Sequence, residues 1–577
     1  MDKKGITIQE TIRQILSGMG IRKVVSVDDF YTAADSHYEN AITLFQRARS
    51  NRDAEYSELI PRDILDAPER IWTRRLKSFW SKAEPGLRLA ILSKLAAVTG
   101  YTNLPIDVRD LSLLTGLIPE DMFVALDPDE WDRDRDTILA KAQDGHRILC
   151  LFDQDLRLAG RSDSAGMTLL QQTLGTGGEG HVICGLLTQR ISKDAELPTA
   201  RKFASEMGLR LDQFLPLSKD RLRGDPMEFA DGLKLTALNY ARERLSRQVT
   251  DITKQASEKA QQQINDINIY DFEHIVIRSS EEEGIWEPDT LFRLFDLFRY
   301  NAFREMALAP GRRMTLYGDI ERMRAIRDIK TSGLQPDHPS DQVHQIRHAE
   351  LFDAAELLNP AHQPIDLGDI FKVGSEQYYI LLDQPCDLMI RSEPMGKRSI
   401  DVATLVRIRT YEQAKNDPRE VSSFRLSYFE GQPGKEAFVK FRDSFQISLA
   451  VLDLAVFNDT GACRIALSDA DVPNFRTLHT PWRKRFEVLR KYYKGVHREF
   501  QTMPYHHVSD YQKKALKHTL LCSHLNIELN YDTTGTFEFD IRRVGRCRAP
   551  LSMQILSAYC SFLSRNPQEH DFARRRP

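Results

Sequence analysis

The chain has 577 residues and only seven cysteines, at positions 150, 184, 386, 463, 522, 547 and 560, with no C-x-x-C among them. That scatter excludes a disulfide framework or a cysteine-knuckle zinc site read from spacing, and it fits reduced thiols in the cytoplasm. No run approaches the ~18 uninterrupted apolar residues that a membrane span requires. The opening Met1-Asp2-Lys3-Lys4-Gly5-Ile6 has no apolar secretory core. There is also no excess charge of one sign. The balance of 80 basic against 83 acidic residues gives a net charge of −3, which argues against a globally electrostatic nucleic-acid binder. H-E-x-x-H is missing, and so is a phosphate-loop lysine. Gly175-Thr176-Gly177-Gly178-Glu179-Gly180 is glycine-rich but carries neither the Lys nor the Ser/Thr such a loop needs, so it reads as a flexible connection.

Four short stretches, widely separated, do carry a pattern. Asp28-Asp29 follows the apolar run Val24-Val25-Ser26-Val27, and Asp153 follows Ile148-Leu149-Cys150-Leu151-Phe152. Thr188 follows Ile183-Cys184-Gly185-Leu186-Leu187, and Lys219 follows Phe214-Leu215-Pro216-Leu217-Ser218. Continuous apolar runs of this length predict buried parallel strands, and ligands of open α/β sheets sit beyond the carboxyl ends of such strands. Three carboxylates, a hydroxyl and a lysine in those places suit phosphate chemistry. Asp28, Asp29 and Asp153 offer the all-oxygen ligand set of a hard cation, Mg²⁺ or Mn²⁺.

In that order, acid pair, lone acid, hydroxyl and lysine, the residues resemble the receiver domain of two-component response regulators. The resemblance implies a doubly wound parallel α/β sheet and a phosphoprotein that takes phosphate from a histidine kinase. It implies Asp153 as the nucleophile that becomes an aspartyl phosphate, with the backbone carbonyl of Asp155 as a further metal ligand beside Asp28, Asp29 and Asp153. Thr188 would donate its hydroxyl to one phosphoryl oxygen and Lys219 would set its charge on another. Divergent receivers with long extra regions also resemble components of bacterial antiviral defence systems.

Several features depart from the family pattern. The gap from Asp29 to Asp153 is long, and much of it, about residues 45 to 118, reads as a helical insertion that includes Ile71 to Trp80 and Leu87 to Leu92. The second strand is therefore expected late, at Met122 to Leu126, followed by a helix from about Trp131 to Gln143. The loop after Asp153 lacks the usual proline, and Gly166 arrives late. Gln189 stands where a small residue normally follows the threonine. Phe214 lies five residues before Lys219, whereas a receiver's aromatic switch lies three before.

Beyond residue 225 the character changes. Asp225-Pro226 predicts a helix start, and the chain reads as one long helix to about Ile267. It is taken as a spacer, with a dimerising helix and a homodimer as the alternative. A helical block follows from Tyr270 to about Arg327, whose apolar stripe Leu291 to Tyr300 is expected to pack onto its own domain. Residues 331 to 345 are expected to be a linker, and residues 346 to 577 a mixed α+β domain of unknown role. In that domain Pro364 to Phe371 and Gln377 to Leu388 predict two strands of a small barrel or curled sheet. Asp369, Cys386 and Asp387 raise the alternative of a receiver-gated effector enzyme, a hydrolase or nuclease. A buried cysteine beside a strand-end turn is the plainer reading. His506, His507, His518 and His524 near Cys522 lack a carboxylate partner for a metal site. The basic helix from Trp482 to Lys494 and the tail Arg574-Arg575-Arg576 read as solvated surface. Nucleic acid is therefore not an expected partner; a protein partner for the C-terminal domain is.

Overall fold

A computed structural model describes residues 7–32, 35–49, 58–99, 106–143, 145–176, 181–331, 340–391, 397–412, 422–429, 435–468, 478–502, 525, 527–532 and 534–564. The fold is of the mixed α/β class, and the chain divides into two compact units. One comprises residues 1–257 with 301–335, the other 258–300 with 336–577.

The first unit is built on a five-stranded sheet of order β2-β1-β3-β4-β5. Its strands are β1 (Ile21–Val27), β2 (Phe123–Leu126), β3 (Arg147–Asp153), β4 (Val182–Thr188) and β5 (Phe214–Ser218). All four neighbouring pairs run parallel. The apolar runs are continuous because both sheet faces are covered, and the period of two sorts them into two cores. Val24, Leu149, Leu151, Ile183, Leu187, Leu215 and Leu217 point into one. Val25, Val27, Ile148, Cys150, Phe152, Val182, Cys184, Leu186 and Phe214 point into the other.

Helices cover each face. α1 (Ile8–Gly18) precedes β1, and its N-cap Thr7 accepts from Glu10 N–H. Between β1 and β2 come α2 (Asp35–Ala48), α3 (Arg62–Leu65), α4 (Glu69–Trp80), α5 (Pro85–Thr99) and α6 (Ile106–Leu117). The insertion thus opens at Asp35, ahead of the expected residue 45. Its Phe45, Trp72, Trp80, Leu92 and Leu114 belong to the first core or are buried against it, so it is part of this unit's body rather than an appendage. α7 (Pro128–Leu139) starts where Asp127 and Glu130 form a capping box with Pro128 behind it, three residues before the expected Trp131. α8 (Ala165–Thr176), α9 (Glu196–Met207) and the one-turn α10 (Asp220–Arg223) follow.

α11 (Pro226–Asn265) is the long helix expected from Asp225-Pro226. Its first half is core, with Phe229, Ala230, Leu233, Ala237 and Tyr240 buried on the sheet. The helix Pro310–Asp328 returns to the same unit. Its buried Asp319 receives Arg244 Nε (3.1 Å) and Gln248 Nε2 (2.6 Å) from α11. The stripe before it meets the expectation in part: in the helix Glu287–Leu308, Leu291, Leu294, Phe295 and Phe298 are half-buried, while Phe292, Leu297 and Tyr300 stay exposed.

The second unit carries a nine-stranded sheet whose pairs are all antiparallel. In chain order the strands are β6 (Phe352–Ala354), β7 (Asp369–Val373), β8 (Gln377–Leu381), β9 (Val402–Glu412) and β10 (Ser423–Leu426). They continue as β11 (Lys435–Ser448), β12 (Ala462–Ala466), β13 (Leu529–Tyr531) and β14 (Thr536–Cys547). β7 and β8 are the two strands expected near Asp369. The second ends at Leu381; just beyond it the Asp383 carboxylate, not the backbone, accepts from Thr404 N–H (2.6 Å), and Pro385 opens the helical turn Pro385–Leu388. A helix begins at Asp341, inside the stretch expected to be linker.

Candidate functional site

The carboxyl ends of β1, β3, β4 and β5 converge on one cavity of about 610 Å³. It is lined by Asp29, Phe30, Asp153, Gln154, Asp155, Arg157, Thr188, Gln189, Arg190 and Lys219. One carboxylate oxygen each of Asp28, Asp29 and Asp153 lies within 4.8 Å of the other two, and all three residues are buried. Lys219 Nζ is 3.0 Å from Asp153 Oδ1, with both side chains almost wholly enclosed. The sequence therefore brings Asp28, Asp29, Asp153, Thr188 and Lys219 to one place despite the interruption.

Local hydrogen bonds explain why each side chain stands where it does. Asp28 ends β1 and accepts from Phe30 N–H at 2.9 Å, which starts the tight turn Asp29–Tyr31. Arg88 of α5 donates Nη1 to the carbonyl of Tyr31 (2.8 Å) and Nε to that of Ala83 (2.9 Å), tying the turn to the insertion. The Tyr31 phenol donates to Ser26 Oγ (3.2 Å). Burial holds its pKa far above the ordinary phenol, and the nearby charges of Asp28 and Asp153 add to the rise. Lys219 N–H bonds the carbonyl of Thr188 at 2.9 Å, so β4 and β5 end in register. Directly beyond, Arg221 grips the buried Glu196 of α9 with Nε and Nη2, each at 2.7 Å. Glu196 also accepts from Ser218 N–H at 2.8 Å, which fixes the backbone that carries Lys219.

Gly166 is needed for a different reason. A Cβ there would lie 1.8 Å from the carbonyl oxygen of Asp153, so only glycine lets α8 start against the end of β3. Its N–H bonds the carbonyl of Gln154 at 3.3 Å. The late glycine closes the long loop onto the central aspartate.

Two residues behave differently from the simplest expectation. Thr188 Oγ1 donates to Gln154 Oε1 at 2.5 Å and accepts from Arg190 N–H at 3.0 Å, so its hydroxyl proton is held by Gln154 in this state. Asp155 lines the cavity, but its carboxylate is paired with Arg157 at 2.5 Å. The hydrogen bonds of that arginine hold it below the usual carboxylate range. Phe214 is not a surface switch: it is buried and packs against Phe203 with ring centroids 6.4 Å apart. The position three before Lys219 is Pro216, which has no aromatic ring to rotate.

Sequence reading passed over Gln154, Arg157, Arg190 and Phe30. Nothing in their local pattern distinguishes them from loop residues. Only the knowledge that their strand ends converge gives them a role.

The donor set fits a hard divalent cation. Three buried carboxylates offer oxygens within 4.8 Å of one another, close enough to share one ion. Among the described residues no other group of three acidic, histidine or cysteine side chains comes together in this way.

The effector candidates of the second unit are engaged separately. Asp369 is held by Arg546 Nε (2.6 Å) and Arg543 Nη1 (3.4 Å). Cys386 is exposed, with its thiol 3.5 Å from Gln384 Oε1, and Asp387 accepts from Ser399 Oγ at 3.3 Å. In the basic helix Thr480–Gln501, Trp482, Arg485, Phe486 and Tyr493 are buried, so one face of it is core. His506, His507, His518, His524, Cys522 and the terminal arginines lie outside the described residues, as do Gly177 to Gly180. Among the described residues no helix is long and apolar enough to cross a membrane.

No family model matches the chain, and neither a curated protein nor a solved structure matches it.

Proposed function

We propose that the first unit is a divergent receiver domain, a doubly wound sheet that accepts phosphate on Asp153 from a histidine kinase in the cytoplasm. The observation that carries this reading is the arrangement around Asp153. A lysine ammonium stands 3.0 Å from its carboxylate, and two further buried aspartates complete a cluster in which all ligand oxygens lie within 4.8 Å. A strand order of 2-1-3-4-5, with the site beyond the carboxyl ends, is the flavodoxin-like arrangement and agrees with it.

Asp28, Asp29 and Asp153 would hold Mg²⁺ or Mn²⁺, joined by the carbonyl of Asp155. The cation supplies charge neutralisation between the attacking carboxylate and the incoming phosphoryl group. Asp153 then attacks phosphorus through a carboxylate oxygen. The bond from phosphorus to the donor's imidazole nitrogen, or to the acyl oxygen of a small donor, breaks, and the donor leaves with that electron pair. Lys219 already sits on Asp153 and is placed to follow the charge onto a phosphoryl oxygen. Thr188 must exchange Gln154 for the phosphoryl group. The second unit is the expected seat of a protein partner. An effector enzyme there gains no support from Asp369, Cys386 and Asp387, which serve different partners.

The test is labelling of the full chain with acetyl phosphate, read by intact mass. One phosphoryl group should appear with Mg²⁺ and disappear in Asp153→Asn or on chelation. Label retained by Asp153→Asn would overturn the assignment.

A further inference from the structure

The short helix behind Lys219 sends two arginines to two different acids. Arg221 goes to Glu196 of α9, as described. Arg223 lays its guanidinium along the carboxylate of Asp110 in α6, with Nε to Oδ1 at 2.9 Å and Nη2 to Oδ2 at 2.7 Å. Asp110 is 1% exposed and belongs to the helices inserted between β1 and β2. The same Nη2 lies 3.3 Å from Oε1 of Gln189, the residue after Thr188 and one of those lining the carboxylate cavity. One nitrogen with two N–H bonds thus serves both the buried acid and the amide at the cavity rim.

We propose that Asp110 and Arg223 are positioning residues that hold the Gln189 side chain at the cavity rim, so that the inserted helices set how readily a phosphoryl donor reaches Asp153. The inference rests on the phosphoacceptor reading and adds a control to it. Gln189 is exposed, and an untethered glutamine samples many rotamers, some of them across the opening beside Thr188. A guanidinium held by a bidentate carboxylate is a fixed donor, and it removes that freedom. Asp110 makes the fixture rigid because it is enclosed and cannot trade Arg223 for water. Any shift of α6 is thereby passed to the amide that borders the phosphoryl site.

The experiment compares rates of labelling by acetyl phosphate, with Mg²⁺, in the full-length wild type, Asp110→Asn, Arg223→Lys, Gln189→Ala and the double variant Asp110→Asn/Gln189→Ala. Asp110→Asn keeps the size of the side chain and weakens the grip. Arg223→Lys keeps the charge and loses the fork. Each should slow labelling roughly five- to tenfold. Gln189→Ala, which removes the side chain that would cross the opening, should label at least as fast as the wild type, and the double variant should return to within about twofold of it. Wild-type rates in both single variants would overturn the inference and leave the phosphoacceptor reading standing. So would a double variant that stays as slow as Asp110→Asn, which would mark the pair as merely structural. A wild type that takes no label removes the phosphoacceptor reading, and the inference with it.

Discussion

The two units bury carboxylates in opposite ways. In the parallel-sheet unit three aspartates lie together, and Lys219 pairs with one of them, Asp153. In the antiparallel unit two buried acids stand between arginines instead. Asp369 is fully buried between Arg543 and Arg546, and Asp453 is fully buried between Arg398 (3.0 Å) and Arg485 (2.8 Å). Arg398 also stacks on Trp482, 5.5 Å from the ring centroid. A buried acid kept for structure needs its charge compensated by the fold itself, because removing either partner strands the other away from water. Asp369 and Asp453 meet that condition. In the Asp28–Asp29–Asp153 cluster the acids instead face one another, which is the arrangement a cation could bridge. Burials of acid that look alike by exposure therefore differ in whether arginines or other acids stand beside them.

The largest expected effect lies on the scaffold side. Asp369→Asn strips the compensating charge from Arg543, which is wholly enclosed and whose pKa burial already lowers. The antiparallel unit should lose about 3–5 kcal/mol. Hydrogen exchange read peptide by peptide is the suitable measurement, since each unit can open on its own. Protection should fall across β7 and β14 and stay unchanged around β3. A loss below about 1 kcal/mol would mean that the arginines find other acids, and Asp369 would no longer count as scaffold.

Next in size is the response to the cation. Mg²⁺ at about a hundred times its Kd should stabilise the parallel-sheet unit by about 2.7 kcal/mol through binding linkage alone. Asp153→Asn should abolish most of that gain, and Asp369→Asn none of it. A thermal or exchange response of equal size in both units would show non-specific ion effects and erase the contrast.

Much of the first unit was legible because its signals are local. A strand buried on both faces needs a largely apolar run; β3, β4 and β5 each have one that leads into a polar residue, and β1 has a shorter one, Val24 to Val27, interrupted by Ser26. The site follows from those endings. The control built on Gln189 was not legible, since Asp110 and Arg223 are 113 positions apart and neither carries a distinguishing neighbour. Likewise Arg88, which reaches Tyr31 across 57 positions, looks in sequence like any helix-surface arginine. The second unit was harder for another reason. Its strands pair antiparallel in an order, β10-β11-β9-β8-β7-β14-β12, that chain position does not suggest. Even so, Thr536-Phe537-Glu538-Phe539-Asp540-Ile541 alternates with a period of two, and the buried positions Phe537, Phe539 and Ile541 follow it. That strand is legible from its alternation alone.

A smaller effect concerns a buried base in the scaffold unit. Burial lowers the pKa of His479 from 6.5 to about 4, so the folded state keeps the imidazole neutral while the unfolded chain takes up a proton. Over that window the unfolded state binds more protons, and stability falls as the pH drops. The loss is about 2 kcal/mol between pH 6.5 and 5. His479→Gln should remove this part of the acid slope. An unchanged slope in urea melts at pH 5 and 7 would mean that Glu287, 3.7 Å away, takes up the charge.

The smallest effect is the sharpest for the comparison, because its sign reverses. Asp28→Asn removes one of three neighbouring buried negative charges, and the asparagine oxygen can still accept from Phe30 N–H, so the turn after β1 keeps its cap. Without divalent ions the parallel-sheet unit should therefore gain about 1 kcal/mol, the opposite of Asp369→Asn. With Mg²⁺ present the wild type should overtake the variant, since the substitution also deletes a ligand. The crossing of the two stability curves as Mg²⁺ is titrated is the quantity to measure. Should Asp28→Asn instead cost as much as Asp369→Asn in metal-free buffer, the three aspartates are already compensated by groups of the protein itself. The pocket would then be scaffold like the other acids, and the case for a cation beside Asp153 would fail on charge before any phosphate was added.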